Sequence, residues 1–185
     1  VFNGLGGPDT FIALLEADTF NGNGGIDRVD YSNSTTEVLV NLEPGAGGLS
    51  GFANLDVYNS IESVRGSNFG DAFRGATNIN ETFLGEGGDD AFKGSGGADT
   101  FDGGAGIDRA DYTESGGAVI VNLETGLGAQ SDAQSDRYIS IEAVRGSEFA
   151  DTLIGRDGLD EGLNGGAGND TLQGSTGADS LIGGD

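Results

Sequence analysis

The sequence predicts an all-β protein built as a stack of short parallel rungs, and three observations support that fold class. A nine-residue phrase recurs along the chain, and residues 165–173, GGAGNDTLQ, are its clearest copy. Each phrase has a single large apolar residue, which fits a short strand with one inward side chain. An amphipathic helix would need such a residue every three or four positions. A longer unit of about 80 residues also occurs twice, as expected of a stacked array.

The long unit divides the chain into two predicted repeats of one continuous solenoid. Residues 25–31 (GIDRVDY) match 106–112 (GIDRADY) at an offset of 81, and 61–67 (IESVRGS) match 141–147 (IEAVRGS) at 80. The first repeat, 1–111, comprises a partial opening run, longer rungs at 32–65 and a nonapeptide run at 66–111. The second repeat, 112–185, is truncated at its C-terminal end.

The same pattern predicts the core. The apolar position of the phrase is held by Phe11, Phe20, Phe73, Phe92, Phe101, Leu153, Leu172 and Leu181. In the longer rungs, residues 37–42 alternate as a strand with Val38, Val40 and Leu42 on one face. Residues 44–60 open with turn formers and are expected to form an exposed loop, after which Ile61 and Val64 return to the core.

Composition excludes several classes of function. The net charge of −23 argues against nucleic acid and anionic membrane surfaces as partners. The chain has no cysteine and no histidine, so disulfides, thiolate or imidazole metal sites and histidine-dependent catalysis are excluded. No apolar run approaches the ~20 residues of a membrane span, so membrane insertion is not expected. Because the chain lacks an initial methionine and stops partway through a repeat, we expect it to be covalently part of a larger protein.

The phrase supplies both kinds of oxygen that calcium prefers. Calcium takes roughly six to eight oxygen ligands from carboxylates and backbone carbonyls. The 37 glycines allow turns that aim carbonyl oxygens into the loops, and the aspartate at the sixth position adds a charged ligand just before the strand. One loop is half a site, and a second loop stacked on it completes the shell. Several bound calcium ions would also neutralise an acidic chain that could otherwise stay unfolded.

On these phrases the chain resembles the repeats-in-toxin (RTX) family of haemolysin-type calcium-binding proteins along nearly its whole length. The resemblance implies a right-handed parallel β-roll in which two phrases make one turn and each ion lies between the loops of successive turns. It also implies a secreted bacterial protein, extracellular or at the cell surface, that is exported unfolded by type I secretion and folds outside the cell.

The resemblance also implies the ligands. The aspartates are Asp9, Asp27, Asp71, Asp90, Asp99, Asp108, Asp151, Asp160, Asp170 and Asp179. The loop carbonyls are those of Gly85, Gly87, Gly103, Ala105, Gly165, Ala167, Gly174 and Thr176. Pairing skips one phrase and joins Asp71 with Asp90, Asp90 with Asp108, Asp151 with Asp170, Asp9 with Asp27, Asp160 with Asp179, and Asn80 with Asp99. Asn80 brings no charge, and the phrase around Asp18 lacks turn glycines, so a weak and a damaged site are expected there.

The remaining charged and tyrosine residues are interpreted as structural, with no role in binding or catalysis. The acidic side chains outside the phrases are expected to be solvated surface: Glu37, Glu43, Asp56, Glu114 and Asp136. The recurring arginines are expected to pair with nearby carboxylates: Arg28, Arg65, Arg109 and Arg145. Asp30–Tyr31 and Asp111–Tyr112 are interpreted as strand ends with buried tyrosines, not as catalytic couples.

The leading hypothesis is a calcium-dependent structural module of a secreted protein, with no catalytic residues. The alternative is a module that attaches a passenger enzyme or adhesin to extracellular polysaccharide or cell-surface material, although the sequence shows no basic or aromatic strip suited to an acidic glycan. A flexible low-complexity linker is disfavoured because linkers do not keep Phe or Leu at a period of nine. Ice binding and catalysis have still weaker support in the sequence.

Overall fold

A computed structural model describes all residues, 1–185, and its regular elements are almost all three-residue strands joined by turns and loops. The strands are β1 (Phe2–Asn3), β2 (Thr10–Ile12), β3 (Thr19–Asn21), β4 (Arg28–Asp30), β5 (Leu39–Asn41), β6 (Val57–Asn59), β7 (Ser63–Arg65), β8 (Ala72–Arg74), β9 (Thr82–Leu84), β10 (Ala91–Lys93), β11 (Thr100–Asp102), β12 (Arg109–Asp111), β13 (Ile120–Asn122), β14 (Leu127–Ala129), β15 (Arg137–Ile139), β16 (Ala143–Arg145), β17 (Thr152–Ile154), β18 (Gly162–Asn164), β19 (Thr171–Gln173) and β20 (Ser180–Ile182). Two 3₁₀ turns, Gly51–Ala53 and Ser131–Ala133, are the only helical segments. The all-β prediction is therefore confirmed.

Outside the longer rungs, successive strands alternate between opposed sheets, so the chain coils as a parallel β-roll. One sheet has ten strands in the order β19-β17-β13-β14-β15-β11-β9-β7-β4-β2. The opposite side has seven strands, β20-β18-β16-β12-β10-β8-β5, and a separate three-stranded sheet, β1-β3-β6. Nearly all pairings are parallel and in register; in β8 and β10, for example, Phe73 lies beside Phe92.

The two repeats share one irregularity. In the second repeat, β14 pairs antiparallel with both β13 and β15. In the first repeat, the equivalent contact is a single antiparallel bridge between Leu39 and Ser50. Residues 44–60 are thus not simply an exposed loop, because Ala53 and Tyr58 are buried in the core. Ile61 and Val64 are buried as predicted.

The core is a single column of inward side chains between the sheets. The middle residue of most strands is buried while its two neighbours are partly exposed, as the period of nine predicts. In the first repeat the rings stack, with centroids 5.4 Å apart for Phe73 and Phe92 and 5.6 Å apart for Phe92 and Phe101. Leu153 continues the column in the second repeat, whereas Leu181 is 47% exposed. Each rung buries too little to stand alone, so stability depends on stacking.

Candidate metal centre

Each strand of the nonapeptide runs is preceded by an acidic residue whose carboxylate folds back over its own loop. Asp90 directly precedes β10, and a Cβ added to Gly85, the first glycine of that loop, would overlap Asp90 Oδ2 and lie 2.6 Å from the carbonyl oxygen of Gly103 in the next loop. Equivalent overlaps occur at Gly66 with Asp71 and at Gly165 with Asp170. Glycine is therefore required because any side chain would fill the space that the carboxylate oxygen faces. We call the acidic residues at these positions the slot residues.

Slot residues of successive turns are joined by hydrogen bonds. The backbone N–H of Asp71 donates to Asp90 Oδ1 at 2.6 Å, and that of Asp90 donates to Asp108 Oδ1 at 2.8 Å. The same bond links Asp151 to Asp170 at 2.9 Å and Asp9 to Asp27 at 2.8 Å. Four of the aspartate pairs expected from the sequence are thus adjacent in the structure, and one oxygen of each acceptor carboxylate is occupied.

The second carboxylate oxygen of many slot residues has no partner although it is buried. These oxygens are Oδ2 of Asp27, Asp90, Asp99, Asp108 and Asp170 and Oε2 of Glu81 and Glu161. A buried anionic oxygen without a partner is costly, and a bound cation removes that cost. No three Asp or Glu side chains form a compact cluster, so a site here would combine paired carboxylates with loop carbonyls. Hard oxygen donors of these two kinds are the ligand set that calcium takes, and the residues present fit that ion.

Burial shifts the acid–base equilibria of these carboxylates. It raises the pKa of Asp90 to about 8, with the neighbouring carboxylates of Asp71 and Asp108 adding to the effect. It likewise raises the pKa of Glu81 to about 9 and that of Asp108 to about 6. Without a cation, protonation is thus the means by which these groups lose their charge.

The structure places glutamates, not the residues expected from the sequence, in the slots of the two ten-residue phrases. Glu81 is buried and receives Asp99 as its partner, its N–H donating to Asp99 Oδ1 at 2.9 Å. Glu161 pairs with Asp179 in the same way at 3.1 Å. Asn80 and Asp160 are exposed one position earlier and only accept the N–H groups of Ala98 and Ala178. Both glutamates would have been identified by choosing the acidic residue directly before each strand instead of counting along the phrase from its first glycine.

The expected carbonyl ligands lie in the stacked loops. Gly87 and Ala105 form a parallel bridge, and the carbonyl of Ala105 accepts the N–H of Gly88 at 2.9 Å. The carbonyl of Gly174 lies beside Gly155 of the preceding turn, 3.1 Å from an added Cβ, and that of Gly165 lies in the same way beside Gly146. Ala167 and Thr176 contact the preceding turn through backbone hydrogen bonds to Ser147 and Gly158. Binding of a cation by these atoms remains a prediction.

The longer rungs hold a different kind of carboxylate. Asp136 is fully buried; its Oδ1 accepts the N–H of Asp99 at 2.8 Å and its Oδ2 accepts the hydroxyl of Tyr112 at 2.6 Å. The Tyr112 hydroxyl also contacts that of Tyr138. Burial raises the pKa of Asp136 to about 7. Asp136 Oδ2 thus receives a hydrogen bond from Tyr112, whereas the corresponding Oδ2 atoms of several aspartates in the nonapeptide rungs have no partner.

The first repeat contains the same cluster. Asp56 accepts the hydroxyl of Tyr31 at 2.6 Å, and the Tyr31 and Tyr58 hydroxyls lie 2.6 Å apart. The Asp56 Oδ1 atom accepts the N–H of Asp18 at 2.8 Å. The prediction that Asp56 and Asp136 are solvated surface is therefore wrong, while the prediction that Tyr31 and Tyr112 are buried is confirmed. We call these groups the tyrosine–aspartate clusters.

The comparison with protein families agrees with this geometry. The model of the RTX calcium-binding nonapeptide repeat matches four copies, within residues 1–31, 76–110 and 163–185. The chain carries RTX calcium-binding repeats. RTX repeats form calcium-binding structural modules, and the matched segments contain the slots of Asp9, Asp27, Asp90, Asp108 and Asp170. The chain matches no curated protein.

The slot geometry extends beyond the matched RTX segments. Asp71 and Asp151 lie outside them, yet each carboxylate accepts the N–H of the residue that precedes a strand of the longer rungs, Val38 and Val119 respectively, at 2.7 Å. The longer rungs thus continue the stack between the RTX segments.

Neither of the two 3₁₀ turns has the length and apolarity that a membrane span requires.

Proposed function

We propose that this RTX chain is a structural module that folds on binding several calcium ions outside the cell and thereby stabilises, and supports the export of, a larger type I-secreted bacterial protein. The observation that carries the proposal is the row of buried, unpartnered carboxylate oxygens beside glycine-lined loops. The residues that would hold the ions are the slot carboxylates and the loop carbonyls of stacked turns. Bound calcium supplies positive charge there, and the module needs no catalytic activity of its own.

Electrostatics makes such folding dependent on the ion. The Oδ2 atoms of Asp90 and Asp108 are both buried, and their Oδ1 atoms are held one turn apart by the ladder of N–H groups. Without a cation the folded state must either bury negative charge or take up protons. For a Kd of about 10⁻⁴–10⁻³ M, millimolar calcium contributes roughly 0.4–1.4 kcal/mol per site. One site is too weak to fold a domain of typical stability, whereas several coupled sites suffice.

A calcium titration at neutral pH tests the folding step. Circular dichroism should show little β structure in excess chelator and a steep, cooperative gain as calcium rises to millimolar levels. Magnesium at the same concentration is the control for ionic strength and charge. Full β structure in excess chelator would contradict the proposal.

Export is tested separately. A reporter fused to the chain should leave a bacterium that has a type I exporter and fold only in medium containing calcium. A variant that folds in chelator should be exported poorly, because it would already be folded in the cytoplasm. Equal export of the two would argue against the role in export while leaving calcium-dependent folding intact.

A second function, attachment to an acidic polysaccharide, is favoured by one feature that sequence reading missed. Four of the eight basic residues lie on the outer face of the seven-stranded sheet. Arg74, Lys93 and Arg145 hold the third position of β8, β10 and β16, Asp111 of β12 stands between Lys93 and Arg145 in that row, and Arg109 holds the first position of β12. We call these four residues the basic strip. Arg74 and Lys93 share Glu114, whereas Arg145 forms no ion pair and Arg109 only a loose one of 3.8 Å to Asp111.

The strip makes a specific prediction for binding. In saturating calcium, a polyuronate should bind the chain more weakly when Arg109 and Arg145 are both replaced by Ser. Replacing Arg28 and Arg137, which lie on the opposite sheet, is the matched control for charge. Equal binding by both double variants, or no binding by the wild type, would dismiss attachment through this face.

A further inference from the structure

A cavity of about 310 Å³ lies on the outer face of the seven-stranded sheet, across strands β12, β16, β18 and β20 of the second repeat. Arg109 and Arg145 line it on the first two of these strands, and Asn164 and Ser180 add neutral hydrogen-bonding groups on the other two. Its floor is open because Gly162 has no side chain. No Asp or Glu lines the cavity, so it combines two cations with neutral polar groups.

Neither arginine has a tight carboxylate partner within the chain. Arg145 makes no ion pair, and Nε of Arg109 lies 3.8 Å from Asp111 Oδ2. The other oxygen of Asp111 accepts the N–H and the hydroxyl of Thr113, at 3.0 and 2.7 Å. In a chain with 31 acidic residues against 8 basic ones, two such arginines on adjacent strands are a local feature of this site.

The first repeat has the same arrangement of strands without free arginines. Its strands β4, β7, β9 and β11 pair in the same register as β12, β16, β18 and β20. Arg28 and Arg65 there correspond to the two arginines of the cavity. Arg28 Nε donates to Ser63 Oγ at 3.2 Å, and Arg65 donates to Glu86 Oε1 at 2.7 Å and to Asp30 Oδ2 at 3.4 Å. Both guanidinium groups are therefore held by the chain itself.

Four differences between the repeats release the arginines and open the floor. From the first repeat to the second, Ser63 corresponds to Ala143, Thr82 to Gly162, Glu86 to Gly166 and Asp102 to Ile182. The first and third differences remove groups that hold the arginines, the second clears the floor, and the fourth removes a carboxylate from the neighbouring strand. The cavity nearest to this place in the first repeat, about 270 Å³, is lined by Asp9 and does not reach Arg65. All four differences favour an anion in the second repeat.

We propose that this cavity binds one acidic sugar residue, a hexuronate, of an extracellular polysaccharide. Arg109 and Arg145 bind its carboxylate, since arginine recognises planar oxyanions through paired, charge-assisted hydrogen bonds. Asn164 and Ser180 supply donors and acceptors for the ring hydroxyls, and the space above Gly162 admits the ring.

This site rests on the attachment function proposed above, but it assigns recognition to one cavity and not to the whole basic strip. Arg74 and Lys93 are bridged by Glu114, so their charge is already balanced. A short acidic oligosaccharide should therefore depend on the cavity, whereas a long polyanion is also attracted by the field of the strip.

Gly162→Thr restores the first-repeat residue and tests the cavity in the whole chain, in saturating calcium. An added Cβ meets only the Cβ of Ala143, at 3.7 Å, so the variant should fold normally. Binding of trigalacturonate, measured by isothermal titration in buffer of the same calcium concentration, should weaken about tenfold. Gly116→Thr is the matched control, because its added Cβ meets nothing within 4 Å; it should bind as the wild type does.

Arg145→Lys tests recognition by the guanidinium group. Lysine keeps the charge but loses the paired donors, so trigalacturonate binding should again weaken about tenfold. Arg137→Lys, at an exposed position of the opposite sheet, should leave binding unchanged. The wild type should bind the carboxyl-reduced trisaccharide, and sulfate at equal ionic strength, more weakly than trigalacturonate.

Undiminished trigalacturonate binding by Gly162→Thr would overturn the site; if a polyuronate still bound the wild type, attachment through the strip would stand without it. If Gly162→Thr fails to fold in calcium, Arg145→Lys decides, and unchanged binding by that variant would overturn the site as well. Sulfate binding as tight as that of trigalacturonate would overturn the assignment to a sugar. A wild type that binds neither trigalacturonate nor a polyuronate would refute both the site and the attachment function.

Discussion

The backbone N–H of Asp71 lies 2.6 Å from Oδ1 of Asp90, which directly precedes the neighbouring strand of the same sheet. This contact fixes the Asp90 carboxylate with one oxygen bonded and the other, Oδ2, buried without a partner. The backbone thereby orients the carboxylate before any ion arrives. The charge of Asp90, more than its ability to accept a hydrogen bond, is then what a metal ion would use.

Asp90→Asn separates these two roles. The amide can still accept the N–H of Asp71 but brings no charge, so we expect calcium binding to weaken while the metal-free chain folds no worse. The calcium midpoint of folding should rise about tenfold, equivalent to about 1.4 kcal/mol. Circular dichroism against calcium measures it. Glu148→Gln, an exposed charge without a hydrogen bond, should leave the midpoint unchanged; an equal shift in both would mean that only net charge matters.

Gly85→Ala tests the space beside that oxygen. The new methyl group would overlap Asp90 Oδ2 and crowd the Gly103 carbonyl at 2.6 Å, so the calcium midpoint should rise by at least severalfold. Gly116→Ala is the matched control, because its added Cβ meets nothing within 4 Å. Similar behaviour of the two variants in the titration would show that the loop is not closely packed around a ligand.

Tyr112→Phe addresses the tyrosine–aspartate clusters. Loss of the hydroxyl leaves buried Asp136 Oδ2 without its donor, which typically costs about 1–3 kcal/mol. Urea unfolding in saturating calcium should show this loss, and calcium stoichiometry should stay the same. Tyr31→Phe should behave alike in the first repeat. A change in the number of bound ions would assign the cluster to calcium binding instead.

The raised pKa values predict a pH dependence with a definite sign. Burial raises the pKa of Asp90 to about 8 and that of Glu81 to about 9 in the metal-free fold, above the values near 4 of an unfolded chain. The metal-free folded state therefore binds more protons, and its stability falls as pH rises from about 4 towards 9. Calcium binding should release protons in that range. Chelated protein should show more β structure at pH 5 than at pH 8, and titration at pH 7 in two buffers should reveal the release. More β structure at pH 8 would reverse the expected sign.

Sequence periodicity predicted the stack because one apolar residue in nine can only be buried by neighbouring rungs. The resemblance to the RTX family, in which pairing skips one phrase, implied the pairs Asp71–Asp90 and Asp151–Asp170, and the structure places both pairs in adjacent turns. Counting along the phrase failed where the spacing changes, since the additional residue in each ten-residue phrase moves Glu81 and Glu161 into the slot. Sequence reading also failed at Asp56 and Asp136, which are buried by contacts with tyrosines about 25 positions away. No local pattern encodes such contacts.

The hydrogen bonds between slots have a consequence for how damage spreads. In every such pair the donor belongs to the earlier turn and the acceptor to the later one, as in Asp9 with Asp27 and Asp108 with Glu142. The hydrogen bonds between slots therefore all point in one direction along the stack. A lost carboxylate deprives the turn before it of a partner and leaves the turn after it intact. Faults in the second repeat are thus transmitted back to the first across Asp99–Asp136 and Asp108–Glu142, whereas faults in the first are not passed forward by this route.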